Sequence, residues 1–360
     1  MEAAWHSVPG GTGRVTVDLA SALSRRSDIK VQGFSAWHRR PAPPDFSPTI
    51  SVRKLKVPRP LLYEAWSRAP IPRLNVKGHD IVHSTTIVPP PASNVPLVVS
   101  VHDLAFRRFP ERFPGRARRL FERSWRRVLE RADAVLCPSA ATSADLRAGG
   151  LAADRLHLVP LGHDPRPVTK EAGLQARQRF GIDGSFVLAA GTLEPRKNIP
   201  TLIDAFARIA SATNTQLVLA GPTGWGITPQ DLLHPLDTDT KNRVVITGAV
   251  TIDELAALYS EATVFCYPSL LEGFGLPVLE AMSYRTPVVT SKGTSTEEVA
   301  GDAALAIDPN SAGDLADALR TVLTDRHFAR ELAQRGYERS TAFSWDSAAS
   351  AIVAVYRSLL

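Results

Sequence analysis

A chain of 360 residues, 44% of them hydrophobic, has enough apolar surface for a full core and enough length for about two ordinary domains. This excludes a disordered chain, and a disulfide scaffold is excluded too, because the two cysteines, Cys137 and Cys266, each sit in an apolar run that reads as a buried strand end. No run reaches the roughly 20 apolar residues of a membrane span, the first residues do not read as a secretory signal, and the net charge of +6 fits nucleotide phosphates, acidic lipid or nucleic acid alike.

Short apolar, β-branched runs alternate with amphipathic helical stretches, the rhythm of parallel sheets covered by helices on both faces, so the expected fold class is α/β. In chain order, the first half reads as a helix near 13–26, strands near 29–37, 80–84 and 96–103, a helix near 116–131, a strand near 134–138, a helix near 140–148 and a strand near 156–161. The segment LGHDPRPVTKEAG follows, rich in proline, glycine and charge without apolar periodicity, and it reads as an inter-domain connection with the boundary near residue 165. The second half reads as strands near 186–190, 216–220, 243–247, 264–268, 287–290 and 303–307, with helices near 198–212, 252–261, 277–284, 312–324 and 327–338. The expected domains are therefore 1–165 and 166–342. The segment 343–360 reads as a last amphipathic helix, with Trp345, Ile352, Val355 and Tyr356 available for packing and a return to the first domain expected. Two doubly wound sheets facing each other would bind ligands in the crevice at the carboxyl ends of their strands.

The most informative stretch runs from Tyr267 to Met282, YPSLLEGFGLPVLEAM. A strand ends at Tyr267, a loop carries Gly273 and Gly275, and Pro277 stands where a helix begins, since proline suits a first helical turn. Free N–H groups and a positive dipole at such a terminus favour a diphosphate. Glu272 and Glu280, eight positions apart, can face one bound molecule at different points and accept hydrogen bonds from its hydroxyls. Upstream, Gly191 opens a second glycine turn, GTLEPRKN, which presents Arg196 and Lys197; their reading is neutralisation of a departing diphosphate, against the alternative of a solvated helix start.

These motifs, with PGGTGR, VHDLAF and GAVTIDELAALYSEA in the same order, resemble glycosyltransferase family 4, and the resemblance spans nearly the whole chain. It implies the GT-B fold, two Rossmann-like domains facing a cleft, and retaining, metal-independent transfer of a hexose from a nucleotide-diphosphate sugar, with no cofactor. The acceptor would be a saccharide or a lipid-linked molecule, held mainly by the first domain. Guanosine-linked mannose is the first guess for the donor, because VHDLAF and PSLLEGFGLPVLEAM resemble the family's mannosyltransferases. By this resemblance Glu280 binds the ribose and Glu272 lies beside the sugar. Gly273, Phe274, Gly275, Leu276 and Pro277 frame the donor, and Arg196 and Lys197 meet its phosphates. Val250 and Leu255 border the base, with core packing as the alternative. Gly10 and Gly11 approach the phosphate and sugar, and His102 points into the cleft, oriented by Asp103.

Other signals lead elsewhere. Asp237 and Asp239 imitate a metal-binding Asp-x-Asp pair but lie in a polar loop and read as turn residues. His79 and His83 have a zinc-protease spacing without its glutamate. The stretch GTG at 11–13 begins a dinucleotide fingerprint that Thr16 breaks. From Arg107 to Arg131 the chain is cationic with interleaved aromatics, which suits either an anionic membrane surface or a helix packed on its sheet with solvated arginines. The expected location is cytoplasmic, with a peripheral place on the inner face of the plasma membrane as its extension. Two rivals stand beside transfer: a sugar-nucleotide epimerase of the same shape, against which the paired glutamates argue, and a basic nucleic-acid binder, for which no module is present. The resemblance also places a core strand immediately before the Gly10 loop, where only residues 1–9 precede it, so either a natural start upstream or a tolerated, weakened first domain is expected.

Overall fold

A computed structural model describes residues 1–6, 10–69, 71–91, 94–224 and 226–360. Its contacts divide the chain into one unit formed by Met1–Gly162 with Ser344–Leu360 and a second formed by His163–Phe343, so the division falls slightly ahead of the expected 165.

The first unit contains strands β1 (Gly33–Trp37), β2 (Val52–Pro58), β3 (Val82–Ser84), β4 (Leu97–Ser100), β5 (Ala134–Cys137) and β6 (Leu156–Leu158). They do not form one sheet: β1 pairs with β2 alone, and β3-β4-β5-β6 form a separate four-stranded sheet, every pair parallel. Its helices are α1 (Gly10–Ser24), α2 (Arg59–Arg68), α3 (Ala105–Arg108), α4 (Gly115–Arg131) and α5 (Ala140–Ala148). β4 and β5 are buried at every position, as strands covered on both faces must be, and Trp125 and Val128 of α4 pack into the same core. Ser139 caps α5 by accepting from the Thr142 N–H. Three elements, β2, α2 and the four-residue α3, lie where no element was expected. The strands bordering the break are shorter than the sequence indicates, since 29–32 and 80–81 are not strand.

The second unit holds β7 (Ser185–Ala190), β8 (Thr215–Ala220), β9 (Val244–Gly248), β10 (Val264–Tyr267), β11 (Val288–Ser291) and β12 (Leu305–Ile307) in one parallel sheet of order β12-β11-β10-β7-β8-β9. Around it lie α6 (Lys170–Phe180), α7 (Ile199–Ala210), α8 (Pro229–Leu233), α9 (Thr238–Asn242), α10 (Ile252–Glu261), α11 (Leu276–Ser283), α12 (Ser295–Ala300), α13 (Ala312–Thr324) and α14 (Arg326–Ser340). Phe206 and Ile209 of α7 interlock with Leu217 and Leu219 of β8 and Leu319 of α13. The stretch read as a connection contains a helix, α6, which starts where Thr169 accepts from the Ala172 N–H and ends at left-handed Gly181. Asp237 and Asp239 are exposed, as expected of solvated residues, but they belong to a short helix rather than a loop: Asp237 caps α9 through the Thr240 N–H, and Asp239 pairs with Arg243 at 3.1 Å.

The last helix, α15 (Trp345–Ser358), belongs to the first unit and packs on α1, burying Trp345, Ala349, Ile352 and Val353. Its entry lies directly over Gly162, where a Cβ would come within 2.2 Å of the Trp345 backbone nitrogen. Only glycine fits that approach.

Candidate functional site

Adjacent strands of a parallel sheet deliver their following loops side by side, and in the second unit β7 and β10 are such neighbours. After β7, Gly191 turns the chain, a short 3-10 turn carries Pro195–Lys197, and Asn198 in the left-handed region leads into α7. After β10, the loop ends at Gly275 with φ of 117°, a region open to glycine, and a Cβ there would press on Thr296 at 3.0 Å. Pro277 then stands in the first turn of α11.

This adjacency brings together residues about 75 positions apart in the chain. The Glu272 carboxylate accepts from Arg196 Nη1 at 2.6 Å through one oxygen and from Lys197 Nζ at 2.7 Å through the other. The second oxygen also accepts from Ser269 Oγ at 2.6 Å and the Tyr267 hydroxyl at 3.0 Å. Arg196 turns its remaining edge to Glu194, at 2.7 Å, and donates to the Leu271 carbonyl. Lys197 also donates to the Tyr267 hydroxyl. Burial pushes the Glu272 carboxyl up, but Arg196, Lys197 and the hydrogen bonds it accepts outweigh burial and hold it at about 2. Lys197 is lowered, first by burial and then by Arg196, and Tyr267 is raised well above its usual value, first by burial and then by Glu272. Two carboxylates thus answer two cations in a site where Lys197 and Glu272 have side chains only 10% exposed. Charges held in this way need little reorganisation when a reacting group arrives. Arg196 and Lys197 are neither a solvated helix start nor bare cations, since Glu272 pairs with both and Glu194 with Arg196.

Glu280 lies on α11 and accepts from the Tyr259 hydroxyl of α10 at 2.9 Å. Tyr259 is raised well above its usual value by burial and then by Glu280. Gly273, Phe274, Gly275 and Leu276 are buried and Pro277 is half-buried; the Phe274 ring meets Phe343 edge-on at 5.8 Å. Val250 and Leu255 are half-buried on either side of Thr251, which caps α10 with Glu254 in a reciprocal capping box.

In the first unit, Gly10 and Gly11 open α1 as exposed residues with open space where a Cβ would stand, while the neighbouring residues 7–9 lie outside the described residues. Thr16, which breaks the glycine fingerprint, is buried and donates to Thr85 Oγ1. His102 follows β4; its Nε2 donates to the Thr85 carbonyl at 3.1 Å, which assigns the proton to that nitrogen, and burial lowers its pKa, so the ring is a neutral imidazole. Asp103 does not hydrogen-bond the ring that it was expected to orient. It accepts from the Ala105 N–H at the start of α3. His79 and His83 serve different partners, His79 bonding Gln32 and His83 held between Tyr356 and Ser100.

Sequence reasoning missed Glu194, Tyr259, Tyr267 and Ser269 as partners. All four stand inside the quoted motifs, Glu194 in GTLEPRKN, Tyr259 in GAVTIDELAALYSEA and Tyr267 and Ser269 in YPS, so a search for partners to the charged residues could have found them.

Residues 175–339 match the family model described as glycosyl transferases group 1, and residues 9–166 match that of glycosyltransferase family 4. The chain is 33% identical over 270 residues to the O-antigen chain mannosyltransferase B of Escherichia coli, covering 73% of this chain and 70% of that protein. It is 30% identical to a serotype-specific mannosyltransferase WbdA of the same organism over 79% of this chain, but spans only 36% of that longer protein. Among solved structures it resembles the sucrose-phosphate synthase of Thermosynechococcus elongatus, with 26% identity, a TM-score of 0.78 and coverage of 97% and 94% of the two chains. It shares the fold of Anabaena HepE, solved with UDP and glucose, at 19% identity and a TM-score of 0.75 over 99% and 98% of the two chains. The chain is a glycosyltransferase of the GT-B fold and belongs to the group 1 glycosyltransferases of family 4.

Proposed function

We propose that the protein is a retaining, metal-independent hexosyltransferase that takes mannose from a guanosine-diphosphate donor and passes it to a saccharide or lipid-linked acceptor. The observation that carries this reading is the Arg196–Glu272–Lys197 cluster beside the α11 terminus. Two cations held in place can take up the charge that builds on a leaving diphosphate, the work a divalent metal does elsewhere. The mannosyltransferases among the similar proteins support the choice of sugar. Glu272, ionised at any pH above about 2, accepts hydroxyl hydrogen bonds at the sugar, and Glu280 accepts them at the ribose. The decisive experiment is a calorimetric screen of GDP- and UDP-linked sugars, followed by transfer to lipid and saccharide pools with and without EDTA. Turnover of GDP-mannose that survives chelation is the expected result; loss of transfer with EDTA and its return with Mg²⁺ or Mn²⁺ would refute metal independence, and preference for a UDP sugar would refute the donor.

An acceptor at a membrane surface is favoured by α4. Arg116, Arg118, Arg119, Arg126 and Arg131 are exposed there and make no ion pair among the described residues. Among the described residues no helix is long and apolar enough to cross a membrane. Sedimentation with vesicles containing anionic lipid, weakened by salt, is the expected signature.

A further inference from the structure

A glutamate side chain turns about several bonds, and on a helix surface it keeps one pose only where a partner fixes it. Glu280 is half-buried on α11, and one oxygen of its carboxylate accepts from the Tyr259 hydroxyl at 2.9 Å. That hydroxyl comes from the neighbouring helix, α10, which packs on α11.

Tyr259 is itself held on every side. It is 1% exposed, its ring lies parallel to Tyr284 at 6.1 Å and edge-on to Phe265 at 5.2 Å, and its carbonyl accepts from the Thr286 hydroxyl. Tyr284 is tied in turn, its hydroxyl donating to the Arg166 carbonyl and accepting from the Arg166 N–H, each at 3.0 Å. A phenol has one proton to give, and here Glu280 receives it. Burial, and then the adjacent carboxylate, keep that proton on the phenol. Helical spacing adds a second observation. Leu255, expected to border the base, stands four positions before Tyr259 on α10, so the two project from one face a turn apart.

We propose that Tyr259 is a positioning residue for nucleotide recognition: its hydroxyl holds Glu280 in the pose that reaches the ribose hydroxyls, so the choice of a ribonucleotide donor depends on a buried phenol acting through Glu280. The proposal rests on the reading of Glu280 as the ribose ligand. A Tyr259 that only packed α10 on α11 would need its ring and not its hydroxyl, and the two roles differ in what the ligand's sugar must carry.

Tyr259→Phe keeps the ring and removes the hydroxyl alone. Calorimetry on parent and variant uses GDP and UDP, each beside its 2′,3′-dideoxy form. The variant is expected to bind the preferred ribonucleotide about threefold to tenfold more weakly, the range of one lost hydrogen bond, with binding of the dideoxy form changed by less than about twofold. Glu280→Gln should show the same ribose-dependent loss, and the double variant should lose no more than Glu280→Gln alone. Equal weakening of both ligand forms by Tyr259→Phe, no weakening of either, or additive losses in the double variant overturn the proposal. A parent that binds ribonucleotide and dideoxynucleotide equally overturns instead the reading of Glu280 on which it rests.

Discussion

The two units share one alternation of strand and helix, yet they organise their glycine turns differently. In His163–Phe343 the turn at Gly191 springs from a strand gripped on both sides, and the neighbouring loop after β10 comes with it, so Arg196, Lys197 and Glu272 lock together in a buried, charge-balanced group. In Met1–Gly162 no strand among the described residues precedes Gly10, and Gly10 and Gly11 stand exposed. There it is the loops after the adjacent strands β3 and β4 that meet, where the His102 ring donates to the Thr85 carbonyl.

Glu272→Ala should strike hardest, because it removes the counter-charge to Lys197 and Arg196 together with the carboxylate proposed beside the sugar. Transfer is expected to fall by about a hundredfold or more, with a stability loss of about 3–5 kcal/mol from leaving buried cations uncompensated. Single-turnover transfer and thermal melting measure both, and a variant that turns over like the parent would remove the cluster from the chemistry. In the other unit, His102→Ala is expected to slow transfer by roughly tenfold to a hundredfold while leaving the Kd for the nucleoside diphosphate unchanged. Parallel losses in binding and transfer would instead make His102 a folding residue. Glu280→Ala should weaken nucleotide binding by about tenfold, equivalent to about 1.4 kcal/mol, with turnover at saturating donor nearly intact; calorimetry against steady-state kcat separates the two.

Acid should divide the units as well. Burial holds His83 near 3 and His6 near 4, both below the usual 6.5, so below pH 6.5 the unfolded chain binds protons that the folded first unit does not, and that unit loses stability as the pH falls. Glu272, held at about 2 against a usual 4.5, contributes its full stability above that usual value and loses it only as the pH drops towards 2. Amide exchange near pH 5 should therefore show the first unit loosening while β7 and β10 remain protected. Earlier opening of the second unit would reverse the comparison.

The buried strands were legible because FVLAA, QLVLA and TVFCY are short apolar runs with turn residues at their ends, and a strand covered on both faces can look like little else. β2 escaped notice because VRKLKVP places Arg53, Lys54 and Lys56 on an edge that water reaches, which removes the apolar signal. α6 was hidden because its surface is mostly polar and only Gly173 and Ala176 are buried. At the site, glycines and charged residues could be named from spacing, but their pairing could not. Nothing local says that Glu272 will meet Arg196, since that follows from β10 lying beside β7, and nothing marks Tyr259 as the partner of Glu280 before α10 packs on α11. Asp103 shows the converse, a residue whose position beside His102 in sequence implied a role that the local backbone claims instead.

The close approach of Trp345 to Gly162 has a consequence for how the chain assembles. The unit His163–Phe343 is one uninterrupted stretch and can condense as soon as it has left the ribosome. The other unit is synthesised first but completed last, because α1 cannot bury its face until α15 arrives, more than three hundred residues later, and its closing contacts span almost the whole chain. Until then Ala20, Leu19 and their neighbours on α1 stay open to solvent and to other nascent chains. The tail of this protein is thus a late-arriving clasp for its beginning, and a bulky residue in place of Gly162 would hold that clasp open without touching the half that folds first.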